Sequence, residues 1–474
     1  MTTVLSPDIC VIGAGSAGLS VAAGAAAFGV PVVLIERGRM GGECLNTGCV
    51  PSKALIAAAK HAYAVRKAAE FGVIAGEPVI DFQKVQAHVR SVIDAIAPND
   101  SAERFTAMGV RVIRADARFI DGDAVAAGGL TIRARRFVIA TGSSTFIPPI
   151  PGLADVDYLT NETLFDLKSL PQHLVIIGAG PVGLEMAQAH RRLGAKVTVV
   201  TAGRALAKED PELAGIALDR LRGEGIDIFE NSRALSVEKT ASGLRLQCET
   251  QAGAVTIDGS ALLVATGKRG NTAGLGLEAA GIAVTATGIA VNSSLRTQNR
   301  RVYAIGDVAG GLQFTHAANY HASLVLREIL FRLPARENRD IVPRATFTDP
   351  EIASVGLGEE EARARYGQVN VLRWPYAEND RAQAERATEG LIKIITGKSG
   401  KILGVGITGA GAAEMINMWS VIIANGQGLS HVRNAIVPYP TMTEIGKRAV
   451  IAYYTPLTRT PFVRAIIRML RRFG

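Results

Sequence analysis

Apolar residues in this chain fall in short blocks punctuated by glycine. Pro7-Asp8-Ile9-Cys10-Val11-Ile12 ends in an unbroken apolar run of strand length. Gly13-Ala14-Gly15-Ser16-Ala17-Gly18 comes next, then the Ala-rich Leu19–Phe28, which suits a helix, then a second apolar run, Pro31–Ile35, closed by Glu36. Short apolar runs bounded by turn-formers read as strands buried on both faces, and strand, helix, strand in succession reads as a parallel βαβ unit. The stretch Ile9–Ile35 is uncharged over 27 positions, long enough by length alone for a membrane span. Its glycines divide it instead into strand, turn, helix and strand.

The pattern returns. Leu174-Val175-Ile176-Ile177 runs into Gly178-Ala179-Gly180-Pro181-Val182-Gly183, with a helix predicted through Arg192 and a strand over Lys196–Val200. A third spacing match, Gly404-Val405-Gly406-Ile407-Thr408-Gly409, lacks a matching crossover helix, strand and terminal acid. It is expected to be a hairpin or an edge strand of a C-terminal sheet.

Glycine supplies 51 of 474 residues, about 11% where ~7% is usual, with no collagen period and no low-complexity block. Specific turns and close backbone approaches must account for the excess. In each of the first two units the glycines allow a tight turn, approach to a pyrophosphate, and close helix-on-strand packing, and the phosphates would sit at the helix N-terminus. Glu36, 23 positions after Gly13, is placed to accept hydrogen bonds from ribose hydroxyls. The equivalent position after Gly178 is Thr201. An acid there would hold the 2′-hydroxyl of NAD and repel a 2′-phosphate; Thr201 removes the repulsion and Arg204 offers a phosphate partner, which favours NADPH over NADH.

Between the first unit and the next helix stands Gly41-Gly42-Glu43-Cys44-Leu45-Asn46-Thr47-Gly48-Cys49-Val50-Pro51-Ser52-Lys53. Two cysteines five apart at a helix start can meet as a reducible disulfide, and the helix N-terminus lowers thiol pKa. Four cysteines in all exclude a disulfide-rich scaffold. A zinc site would need two more ligands, and Cys10 and Cys248 lie in apolar, strand-like runs, so no resident metal is expected.

This segment resembles the active site of the class I pyridine nucleotide-disulfide oxidoreductases, a family that includes dihydrolipoamide dehydrogenase, glutathione reductase, mercuric reductase and soluble transhydrogenase. The resemblance covers all but about the last 20 residues. It implies FAD at the first glycine loop (Gly13, Gly15, Gly18, Glu36) and NAD(P)H at the second (Gly178, Gly180, Gly183). It also implies that Cys49 lies against the flavin and that Cys44 is the outer thiol that meets the substrate. Val138-Ile139-Ala140-Thr141-Gly142 and Leu263-Val264-Ala265-Thr266-Gly267 resemble the returns that close the family's nucleotide domains. Asp307, in Val302-Tyr303-Ala304-Ile305-Gly306-Asp307, resembles the aspartate that holds the ribityl chain, and Lys53 with Glu185 resembles an ion pair beside the flavin. Phe347-Thr348-Asp349-Pro350-Glu351 resembles the opening of the family's dimerisation domain.

One position departs from the disulfide reductases. They carry a His-Pro-Thr run with a glutamate five positions after the histidine; here the run is Tyr439-Pro440-Thr441-Met442-Thr443-Glu444. Histidine titrates near neutrality and tyrosine near pH 10, so Tyr439 can donate a hydrogen bond but is a poor base. His431 lies eight residues upstream and is misplaced for the role. Mercuric reductases are similar in carrying tyrosine here, but they deliver metal through a C-terminal cysteine pair, and no cysteine follows Cys248 in this sequence.

The fold class is therefore α/β: two Rossmann-like dinucleotide-binding domains, for FAD and NAD(P), plus a C-terminal α+β dimerisation domain. The expected order is an FAD segment with the redox disulfide over 1–150, an NAD(P) domain over 151–270, an FAD-domain return over 271–343, a dimerisation domain over 344–456 and a basic tail over 457–474. In the implied homodimer Tyr439 and Glu444 reach the partner's cysteines. The expected activity passes electrons from NAD(P)H through FAD to a disulfide, a soft metal ion or a quinone. The alternatives are a dihydrolipoyl dehydrogenase and a redox-sensing flavoprotein with little turnover.

Net charge is +9, but residues 445–474 hold seven basic side chains and no acidic one, leaving 45 basic against 43 acidic residues elsewhere. Nothing in the body of the protein calls for nucleic acid. In the tail, Thr460 can cap a helix starting at Pro461. Phe462, Val463, Ile466, Ile467, Met469, Leu470 and Phe473 would fall on one face, with Arg464, Arg468, Arg471 and Arg472 on the other. Residues 461–473 are thus a candidate membrane-surface contact. The start of the chain has no basic residue before Cys10 and contains Asp8, so the expected location is cytoplasmic, peripheral at the membrane's inner face if the tail binds it.

Overall fold

The computed structural model describes residues 3–473, which pack as two compact units. One comprises the chain up to Gly203 together with Ile226–Glu337; the other comprises Arg204–Gly225 and the chain from Asn338 onward.

The first unit holds both predicted βαβ elements. A parallel five-stranded sheet runs in the order Val302–Ala304, Arg136–Ile139, Ile9–Ile12, Val32–Glu36, Arg111–Arg114. Its central strand is buried on both faces: Ile9 and Val11 enter one core with Leu19, Val21 and Val325, while Cys10 and Ile12 enter another with Phe119 and Phe137. That two-sided burial is why the run is apolar without alternation. The helix after it spans Ser16–Ala27, starting three residues before the predicted Leu19. A second sheet runs Tyr158–Leu159, Ala261–Val264, His173–Ile177, Lys196–Val200, Ile226–Phe229, again all parallel, with its helix at Pro181–Leu193. In each sheet the strand that leads into the glycine loop has the next strand of its unit on one side and a strand from much later in the chain on the other, so successive connections leave it to opposite sides. This is the switch point where α/β sheets bind ligands. Cys10 and Cys248 are buried, Cys248 among Leu244, Leu246 and Val175.

The second unit is built on an antiparallel sheet ordered Arg344–Thr346, Glu351–Gly356, Ile402–Gly409, Leu391–Thr396, Asn370–Pro375. The third glycine match lies in its middle strand. It does belong to a hairpin, with Leu391–Thr396, but it is not an edge, and a helix, Ala412–Ala424, does come after it. Antiparallel neighbours on both sides rule out a βαβ unit there. Packing explains these glycines: a Cβ at Gly404 would lie 2.0 Å from the Leu357 carbonyl oxygen, at Gly406 2.4 Å from Leu213 Cδ1, and at Gly409 2.2 Å from the Tyr376 ring. Leu213 belongs to helix Pro211–Gly223, which packs on this sheet although its sequence lies between two strands of the first unit. The buried Lys393 ammonium binds Asp210 at 2.8 Å, Glu212 at 3.2 Å and Glu359 at 2.8 Å. Two helices, Glu444–Thr458 and Pro461–Leu470, end the chain. Among the described residues no helix is long and apolar enough to cross a membrane.

Candidate active site

The two glycine loops of the first unit share one division of labour. Gly13 has φ +103°, and a Cβ there would lie 2.4 Å from the Ala140 carbonyl oxygen; Gly18 is closed by the Gly13 carbonyl oxygen at 1.9 Å. Gly178 and Gly183 repeat this against Ala265 at 2.3 Å and Gly178 at 2.0 Å. The middle glycines differ from their neighbours. A Cβ on Gly15 would meet only the Gly42 Cα, at 3.8 Å, and one on Gly180 would meet nothing within 4 Å. Each middle glycine is the N-cap of its helix, with no side chain bonding the helix's first N–H groups. Open space facing unpaired N–H groups fits a pyrophosphate at both loops.

At the strand ends the loops diverge. Glu36 accepts from the Ala14 N–H and the Gly38 N–H, both at 2.6 Å, bracing the first loop. Thr201 at the second is half-buried, its backbone paired with Phe229 and Ser232 at 2.9 and 2.8 Å. Arg204 is exposed and belongs to the second unit. The Thr141 hydroxyl donates to the Asn271 carbonyl at 2.7 Å, and the Asn271 amide donates back at 3.0 Å. Gly142 and Gly267 take φ of +67° and +107° with open space where a Cβ would be. Asp307 accepts from the Ser143 hydroxyl at 2.6 Å.

Cys44 lies in the short helix Gly42–Asn46 and Cys49 is the first residue of helix Cys49–Lys67. Both are free thiols, Cys44 half-buried and Cys49 exposed. The Thr315 hydroxyl donates to Cys44 Sγ at 3.1 Å and lies 3.4 Å from Cys49 Sγ. The sulfurs are tuned in opposite senses. The Cys44 thiol, then the Thr315 hydroxyl, then the charges of Lys53 and Lys268 pull the Cys49 pKa down to about 5, against the cost of burial. Hydrogen bonding to Cys49 and burial push Cys44 well above the usual thiol range. One proton is held on one sulfur, and the other carries the charge. Helix dipole and position agree, since Cys49 occupies the positive end of its helix.

Lys53, one turn further on, binds Glu185 at 2.7 Å, joining the cysteine helix to the second glycine loop's helix as the resemblance implies. Glu43, beside Cys44, pairs with Lys268 and accepts from the Asn161 amide at 2.9 Å. Burial raises its pKa, with Lys268 opposing. Thr315, Lys268 and Asn161 were not legible as site residues. A hydroxyl residue at a helix start, eight positions after Asp307, was the one signal for Thr315, and it was weak.

Tyr439 and Glu444 lie in the second unit. The Tyr439 side chain is 69% exposed, and its hydroxyl donates to Asp380 Oδ2 at 3.1 Å. That bond raises the phenol pKa, moving it further from a base at neutral pH. Arg448 lies 3.5 Å from Asp380 and 3.9 Å from Glu444. Glu444 Oε2 is buried with no hydrogen-bond partner among the described residues. His431 is spent locally, its Nδ1 accepting from the Gly428 N–H at 3.3 Å.

Residues 7–322 match the family model described as pyridine nucleotide-disulphide oxidoreductase, and residues 342–450 match that family's dimerisation domain. The chain is 34% identical over 461 residues to a mercuric reductase of Streptomyces lividans, covering 95% of this chain and 97% of that protein. It is 32% identical over 462 residues to a dihydrolipoyl dehydrogenase of Geobacillus stearothermophilus, covering 96% and 97%. Among solved structures, LpdA from Mycobacterium tuberculosis superposes with a TM-score of 0.86 at 28% identity, over 95% of this chain and 99% of that one. The Cu(II) complex of the HOCl-induced flavoprotein disulfide reductase RclA from Escherichia coli gives 0.83 at 29%, over 94% and 99%. The two glycine loops, the tuned cysteine pair between them and the C-terminal antiparallel sheet are thus the parts of a known whole: this chain belongs to the pyridine nucleotide-disulfide oxidoreductases.

Proposed function

We propose that this protein is a homodimeric, FAD-dependent NAD(P)H oxidoreductase, preferring NADPH, whose Cys44–Cys49 pair delivers electrons to a soft metal ion. The family's FAD and NAD(P)H chemistry fits the two open loops. The absence of an acid at Thr201, with Arg204 three residues on, supports NADPH. FAD, when bound, supplies the two-electron link between the nicotinamide and the cysteine pair. The chain's own residues do the rest. Gly15 and Gly180 leave room for the two pyrophosphates, and Asp307 offers a carboxylate to sugar hydroxyls. Lys53, fixed by Glu185, adds positive charge beside Cys49.

The observation that carries the choice of acceptor is the pairing of a thiolate ready at neutral pH with a tyrosine that keeps its proton. A soft metal ion binds the Cys49 thiolate directly and displaces the Cys44 proton to solvent as it binds the second sulfur, so no base need return a proton to a leaving thiolate. Exchange with a disulfide substrate does need such a base, because a thiol must lose its proton to attack and the leaving thiolate must gain one. Cys44, the outer thiol of the pair, is only half-buried, so a metal ion can reach the pair without a C-terminal cysteine relay. Relatives named as mercuric reductases and a Cu(II)-bound structural neighbour support the same class of acceptor.

The test is a screen of the FAD-loaded enzyme with NADPH and NADH against Hg(II), Cu(II), lipoamide, glutathione disulfide and quinones. Rapid NADPH-dependent turnover with Hg(II) or Cu(II), and slow turnover with lipoamide, is expected. Lipoamide reduction at typical flavoenzyme rates would make the protein a dihydrolipoyl dehydrogenase. Flavin reduction with no turnover on any acceptor would make it a sensor.

A further inference from the structure

We propose that the C-terminal helix, Pro461–Leu470, docks the protein on an anionic lipid bilayer. The helix is well begun: Thr460 Oγ1 accepts from the Val463 N–H at 3.4 Å, and Pro461 occupies the first turn. At 1.5 Å per residue it is about 15 Å long, half of what a bilayer's hydrocarbon core requires, so it can lie along a membrane and not through it. At 100° per residue, Met469, Phe462, Phe473, Ile466, Leu470, Val463 and Ile467 cover an arc of about 160°. Arg471, Arg464, Arg468 and Arg472 fill the opposite side.

None of the helix's residues is buried. Phe462 is 74% exposed, Ile467 52%, Met469 54%, Leu470 53% and Phe473 83%. Apolar side chains this large, exposed side by side, mark a surface with a partner. Charge selects which partner. No acidic residue follows Glu444, while seven basic ones do. Arg464, Arg468 and Arg471 line one open cleft of about 250 Å³ with Thr458 and Ile467. Three guanidiniums around one opening are suited to phosphate oxygens. A second copy of this apolar face would cover the hydrophobic arc and leave the arginines without a complement. A bilayer surface meets both sides at once, acyl chains below and anionic headgroups at the rim.

The experiment floats the FAD-loaded protein with vesicles of phosphatidylcholine alone or with about 30 mol% phosphatidylglycerol. It compares the full chain, a chain ending at Thr458, and the triple variant Arg464→Ala, Arg468→Ala, Arg471→Ala. The full chain is expected to bind the anionic vesicles, weakly the neutral ones, and to be released by high salt. With roughly a fivefold gain per basic residue at an anionic surface, the triple variant should lose about 100-fold in partitioning. Retained FAD and NADPH oxidation in both shortened and triple variants would show that they are folded. Equal flotation of full and shortened chains, or binding indifferent to lipid charge and salt, overturns the proposal. So does a shortened chain of lower oligomeric order by light scattering, since the helix would then be covered by a second copy.

Discussion

At Cys49 a thiol, a hydroxyl and two lysines surround the sulfur and draw its proton off; at Tyr439 a carboxylate accepts from the phenol and holds its proton on. Both groups have intrinsic pKa values well above neutrality, and burial pushes both upward, so burial does not decide between them. Partner chemistry does. Donors and cations stabilise a charged form, while an acceptor carboxylate stabilises a neutral one. The first unit therefore presents a thiolate at neutral pH. The second presents a hydrogen-bond donor.

The sharpest test separates the two sulfurs. Cys49→Ser should cost about 10³-fold or more in acceptor turnover and abolish the long-wavelength absorbance of a thiolate beside oxidised flavin; Cys44→Ser should keep that band. A band lost only in the Cys44 variant would reverse the assignment. Next in size, Tyr439→His should raise lipoamide reduction by about 10²-fold, because it supplies the missing base. No gain would mean that the proton at residue 439 does not matter.

A smaller effect is expected from Thr315→Val. Hydrogen bonds to charged groups are worth about 1.5–3 kcal/mol, so the pH of half-maximal Cys49 alkylation should rise by about 1 to 2. The sign comes from the lowered pKa: in the wild type alkylation should stay fast as pH falls towards 6 and fail only near 5. A wild-type profile centred near pH 8.5 would refute the thiolate. Smallest is Asp380→Asn. It removes the acceptor that raises the phenol pKa, so the alkaline limb of the pH–rate profile should move to lower pH, with little change at pH 7.

What could be read from the sequence was what the backbone constrains locally. Gly18 and Gly183 close on the carbonyls of Gly13 and Gly178 five residues back, although Gly13 and Gly178 themselves meet backbone from far along the chain, at Ala140 and Ala265; Cys44 and Cys49 are set by a five-residue spacing across two consecutive helices. Thr315, Lys268, Asn161 and Asp380 come from distant segments and carry no local signature, because a threonine at a helix start is ordinary until two sulfurs lie against it. The third glycine match shows the same limit from the other side. Its failure as a nucleotide loop was legible in the residues downstream of Gly409, which hold no crossover to a strand ending in an acid. Its central place in the sheet was not, since strand order is set by pairings far apart in sequence.

The Pro211–Gly223 helix gives the chain an architecture that its family boundaries do not announce. The dimerisation-domain match begins at residue 342, yet the body that packs around that sheet also draws on Arg204–Gly225. Cutting at residue 342 would remove Leu213 from above Gly406 and strip Lys393 of Asp210 and Glu212, leaving Glu359 as its sole remaining carboxylate of the three. A buried ammonium stripped of two of its three carboxylates is costly, so the C-terminal domain is not a transplantable cassette. Swapping it between relatives would require moving the borrowed helix with it, and substitutions at 210, 212 and 213 would be expected to travel with those at 359, 393 and 406.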